Sequence, residues 1–343
     1  MHRTRRGPGR AAAGAALLAL AAPLATSLDA QRPVPAPRRP ATVSRPAAPP
    51  PPATASTPKT ESSAARGRYR VLLSGFHIRS ETYDDPLQLD GKRDEVYISV
   101  GVMETDRHGK ALLPGGTAKV ESSVLGDVGG AFGGSGGHNG RVRAGSASSN
   151  GGLRTGDSYP TREPWRVEPA SRKGARRADL LPMELWSGEL VRGENVVLLT
   201  PTIWEYDAPD LREAYRGWQQ WLGSAATRLG DDQTFTSLVT ASFPEAPLVL
   251  SLGQLGPSLV VSGMDALGRM GNRPIGMQLR TTGGTEELSF EPKTVVLNYD
   301  NVERILSGST IGGKPGAVMV DYVESHPKLG GNYHLYLVVE RVP

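Results

Sequence analysis

The chain has 343 residues, no cysteine and a formal net charge of +4. The missing cysteine excludes disulfides, thiolate metal sites and cysteine nucleophiles. Ten Lys and Arg against Asp29 and Glu61 give residues 1–66 a charge of +8, so residues 67–343 carry about −4, which argues against nucleic acid as a partner because that requires a concentrated basic face.

The first predicted element is a secretory signal peptide over residues 1–30. Arg3, Arg5, Arg6 and Arg10 give a basic start, Ala11 to Ala25 form a short apolar run and small residues follow. The run is broken by Gly14 and Pro23 and is shorter than a spanning helix requires. Cleavage is expected after Ala30, with Ser27 as the other permitted site. The expected destination is the periplasm or the cell exterior, with a cell-envelope or surface partner.

Residues 31–66 read "QRPVPAPRRPATVSRPAAPPPPATASTPKTESSAAR". Proline repeatedly removes backbone donors and almost nothing bulky is available to bury, so a disordered linker is expected. A first β unit is predicted over 67–125. "RYRVLLSGF" is rich in strand formers, and "DEVYISVGVM" alternates Val96, Ile98, Val100 and Val102 against Tyr97, Ser99 and Gly101, the period of a sheet with one buried face.

A flexible insertion is expected over 126–180, because Gly126 to Gly152 holds eleven glycines and "SRKGARRAD" follows. The last predicted unit, 181–343, is β-rich with one helix. "ENVVLLTPTIWEY" reads as a strand, and Leu211, Tyr215, Trp218 and Leu222 recur at helical spacing, predicting an amphipathic helix over about 209–222. "PLVLSLGQL", "PSLVVSGM", "RPIGMQLRT", "KTVVLNYD", "AVMVDYVES" and "NYHLYLVVERV" follow as strands separated by Gly, Pro and Asn turns. The expected fold is mainly β, with antiparallel sandwich or barrel-like units, one helix, and long disordered N-terminal and Gly-rich segments.

Zinc-helix, Walker and dinucleotide motifs do not occur, and "GGSGG" around Ser135 resembles the nucleophile elbow only superficially, since it sits in a Gly-rich tract instead of a strand-to-helix turn. His77 stands just before an acidic loop, where Asp84 or Asp85 could pair with it; a hydrogen-bonded strand-end histidine is the simpler expectation. A hydrolase of polysaccharide or peptidoglycan would use paired carboxylates beside Trp204, Trp218 or Trp221. Spacing alone selects no such pair.

The most suggestive stretch is "YDDPLQLDGKRDEVY", Tyr83 to Tyr97. Calcium takes six to eight hard oxygen ligands, and Asp84, Asp85, Asp90 and Asp94 around Gly91 supply carboxylates at a turn. The competing reading is an ordinary turn, since Asp-Pro and Asp-Gly are common turn formers and Lys92 and Arg93 partly neutralise the acids. "DGKRDEVYISV" is similar to the first acidic loop of C2 domains over about a dozen residues. That resemblance implies calcium-dependent binding at a membrane surface. The leading expectation is an exported β-rich binding or structural protein with a calcium-stabilised loop.

Overall fold

A computed structural model describes residues 64–83, 93–114, 116–126, 141–149, 151–167, 180–206, 249–251, 259–260, 273–282, 285–308, 311–325 and 329–343. The predicted signal peptide, nearly all of the Pro-rich linker and the helix expected over 209–222 lie outside these residues. All described residues fall within Glu61–Pro343, a single unit.

The strands in chain order are β1 (Arg66–Ser80), β2 (Val96–Asp106), β3 (Ala118–Glu121), β4 (Val124–Gly126), β5 (Arg141–Arg143), β6 (Ser158–Tyr159), β7 (Met183–Val191) and β8 (Asn195–Glu205). They continue with β9 (Val249–Ser251), β10 (Leu259–Val260), β11 (Met277–Thr282), β12 (Thr285–Phe290), β13 (Lys293–Leu297), helix α1 (Tyr299–Ser307), β14 (Ala317–Val323) and β15 (Asn332–Arg341). The fold is mainly β, with antiparallel sheets and one short helix among the described residues.

The first sheet runs β14-β15-β1-β6, with β7 also paired to β1. Two strands share one edge of β1: β7 lies along Arg66–Leu73 and β6 along Phe76 and His77. The second sheet runs β5-β4-β2-β8-β13-β9 with β3 on β2, and a third small sheet contains β10, β12 and β11. Strands β1 and β2, from the predicted first unit, pair with β15 and β8 from the predicted last one. Parts of the predicted insertion also join the sheets: β5 lies parallel to β4, and β6 pairs with β1.

The imperfect alternation of β1 has a physical cause. Tyr69, Val71 and Leu73 are fully buried, and so are Phe76 and Ile78. The parity changes because the register against β15 shifts between Leu73 and Gly75. Ser74 is the extra residue, and its hydroxyl donates to the Tyr336 carbonyl at 3.1 Å. Such a bulge keeps Phe76 and Ile78 facing the core that a strict two-residue period would turn away from them. Beside β1 in the same sheet, β15 presents Tyr333, Leu335, Leu337 and Val339, the set its alternation predicts.

Two expectations are corrected. Strand β2 has both faces covered: Tyr97 and Ser99 are as fully buried as Val96, Ile98 and Val100. Tyr97 stacks on its cross-strand neighbour Trp204, with ring centroids 6.1 Å apart, and meets Tyr206 edge-on. The segment "KTVVLNYD" is a strand only to Leu297, after which α1 begins. Asn298 caps it by accepting the Asn301 N–H at 2.8 Å, Asp300 stands in the first turn, and Val302 and Ile305 are buried at helical spacing.

Candidate functional site

Six polar residues from distant parts of the chain meet at one end of the two main sheets. Asp94 stands one residue before the Glu95–β2 junction, Thr82 follows β1, Glu205 ends β8, Arg273 precedes β11, Glu324 follows β14 and Tyr333 lies on β15. Asp94, Glu205, Thr82 and Arg273 are buried, and the Glu324 side chain is wholly enclosed.

The Asp94 carboxylate accepts two hydrogen bonds from one residue. The Thr82 backbone N–H donates to Oδ2 at 2.8 Å, and the Thr82 hydroxyl lies 2.8 Å from Oδ1. Tyr333 donates its phenolic hydrogen to Oδ2. The same Thr82 hydroxyl also contacts Glu205 Oε1. A hydroxyl has one hydrogen, so Thr82 either shares it between the two acids or donates to one and accepts from the other, which then carries a proton.

Arg273 links the other two acids, with one guanidinium nitrogen 2.8 Å from Glu205 Oε2 and another against Glu324 Oε1. The Gly331 N–H donates to Glu324 Oε2 at 2.7 Å. A Cβ at Gly331 would stand 2.8 Å from that oxygen and 2.9 Å from Ile275 Cγ2, so a side chain there would push the carboxylate from its place. Burial first, and then the Asp94 charge, push the Tyr333 phenol well above its ordinary range and keep it a donor.

Of the four acids expected to hold calcium, Asp94 belongs to this network, while Asp84, Asp85 and Asp90 lie outside the described residues. Among the described residues, no group of three or more His, Asp or Glu side chains is arranged to hold a metal. Glu205, Arg273, Glu324 and Tyr333 escaped the sequence reading because they are scattered between positions 205 and 333. One signal was present: Glu205 ends an otherwise apolar strand, where an acid must find partners.

His77 has partners on both flanking strands. Its Nδ1 lies 2.9 Å from the Ser158 hydroxyl oxygen, and its ring stands opposite that of His334 with centroids 6.3 Å apart. Asp321 is paired with His334 on the far side and forms an ion pair with Lys293 at 2.8 Å. Residues Ser158, His77, His334 and Asp321 thus form one row across four strands.

Neither family models, curated proteins nor solved structures match this chain. The chemistry of these two clusters therefore carries the functional reading.

Proposed function

We propose that the chain is an exported β-rich binding or structural protein that presents residues 84–92 as its ligand-contacting loop. The supporting observation is the fastening at the base of that loop, where Thr82 and Asp94 are joined by two hydrogen bonds across it. Arg93 and Glu81 add an ion pair at 2.7 Å, and the Tyr83 N–H donates to the Leu329 carbonyl at 2.8 Å. Residues that connect elements of a fixed scaffold often carry binding groups.

Calcium is the proposed ion, with Asp84, Asp85 and Asp90 as ligands and Asp94 holding the end of the loop in place. Thermal unfolding with calcium and with chelator tests the reading. Saturating calcium raises the melting temperature, since a ligand of the folded state alone stabilises it by about 2.7 kcal/mol at a hundredfold excess over Kd. Asp90→Asn removes most of that rise. A wild-type melting temperature indifferent to calcium defeats the proposal.

A further inference from the structure

The row of side chains on the outer face of the first sheet has a chemistry separate from the acidic loop. His77 and His334 are direct cross-strand partners on β1 and β15. Direct partners of this kind hold their Cβ atoms about 4.5–5.5 Å apart, near enough for two imidazoles to reach one ion. Both histidines are half-buried, with the neighbouring Gly75–Tyr336 row walled by the segment after β6. A Cβ on Gly75 would stand 2.7 Å from Pro164 and 3.0 Å from Pro160, and Trp165 packs edge-on against Tyr336 with centroids 5.5 Å apart.

The ring nitrogens are prepared unequally. Ser158 engages Nδ1 of His77, which fixes the ring and leaves Nε2 as the free coordinating atom. This is the arrangement of a metal-binding histidine, whose second nitrogen is held by an outer partner. His334 stands between two cross-strand partners, His77 on β1 and Asp321 on β14. Asp321 is spoken for by Lys293.

We propose that His77 and His334 form a two-imidazole site for a late first-row divalent cation, of the Cu2+, Ni2+ or Zn2+ class, with water completing the coordination. Imidazole nitrogen suits these ions, and Cu2+ is held most tightly in the usual order. Metal–nitrogen bonds of about 2.0–2.1 Å at a tetrahedral ion put the ring centroids about 5 Å apart. The rings stand 6.3 Å apart, so the His334 ring has to move toward the fixed His77 ring for both to share an ion. Calcium and magnesium, which want oxygen ligands, do not bind here.

The test is calorimetric titration of the untagged chain with Ni2+ and Cu2+, for wild type, His77→Gln, His334→Gln and the double variant. The double variant keeps His2, His108, His138 and His326 and so measures the background. Wild type binds one ion per chain at this site, each single variant loses at least tenfold in affinity, and Arg79→Gln, which removes a nearby positive charge, tightens binding severalfold. Binding fades as acid protonates the imidazoles. Cu2+ electron paramagnetic resonance on wild type gives a check that needs no variant: hyperfine structure from two imidazole nitrogens is expected. Equal binding by wild type and the double variant, or a spectrum with fewer than two nitrogens, overturns the proposal. A calcium response that persists in the double variant keeps this outcome separate from that of the acidic loop.

Discussion

Tyr333 donates its hydroxyl hydrogen to Asp94, and that one bond joins β15 of the first sheet to the residue that leads into β2 of the second. Both partners are buried, and the phenol is enclosed completely. A hydrogen bond to a carboxylate in such a place is worth more than an exposed one, because losing it leaves a desolvated charge.

Tyr333→Phe keeps the ring and removes only that donor. The expected loss is about 1.5–3 kcal/mol, the range for hydrogen bonds to charged groups. Urea unfolding of the variant measures it. A loss below about 0.5 kcal/mol, the usual scatter of neutral surface changes, shows that the bond does not hold the sheets together.

Thr82→Val tests the shared hydroxyl. Valine fills almost the same volume but leaves Asp94 Oδ1 and Glu205 Oε1 without the group that lies between them. Destabilisation of about 1–3 kcal/mol or more is expected, the cost of buried polar atoms losing their partner. A proton held by the acid from which Thr82 accepts has its own signature. Infrared difference spectra of the wild type contain the carbonyl stretch of a protonated carboxyl group, and Glu205→Gln or Asp94→Asn removes it. Absence of that band means that Thr82 accepts from neither acid.

The β character of the chain was legible because burial imposes a two-residue period that survives in β15, where Tyr333, Leu335, Leu337 and Val339 point inward. The bulge at Ser74 was not legible, since one inserted residue makes an amphipathic strand look merely mixed. Helix α1 carried its signals in Asn298, Asp300 and the Val302–Ile305 spacing, but its first residues, directly after an apolar strand, read as the end of that strand. The polar network was the least visible of all. Its members owe their proximity to strand order, and only Asp94 stood among other acids in the sequence.

His334 predicts an acid-dependent loss of stability. Its folded pKa lies below the ordinary 6.5 because of burial and then Arg79. Between those two values the unfolded chain binds more protons than the folded one, so stability rises with pH there. The contribution is complete above 6.5 and is lost as pH falls through the folded value. Denaturation curves on either side of 6.5 show the slope, and His334→Gln flattens it. An NMR titration placing the His334 midpoint at or above 6.5 contradicts the sign.

Two glycines separate steric crowding from backbone preference at the turn that returns from β5. Gly151 has φ of 114°, and a Cβ there would stand 2.4 Å from the Gly126 carbonyl oxygen and 2.9 Å from that of Ala144. The Gly126 oxygen already accepts the Ala144 N–H at 2.9 Å, so it cannot retreat without loosening the β4–β5 junction. Gly156 has a similar φ of 92°, yet nothing lies within 4 Å of its added Cβ. Gly156→Ala therefore suffers only from its positive φ, on the order of 1–3 kcal/mol. Gly151→Ala suffers the same conformational cost and a collision with backbone besides, so it is the more destabilising of the pair and lowers the melting temperature further. Equal shifts for the two variants mean that the chain at Gly151 has room to yield, and that the close packing of this turn against β4 does not constrain the fold.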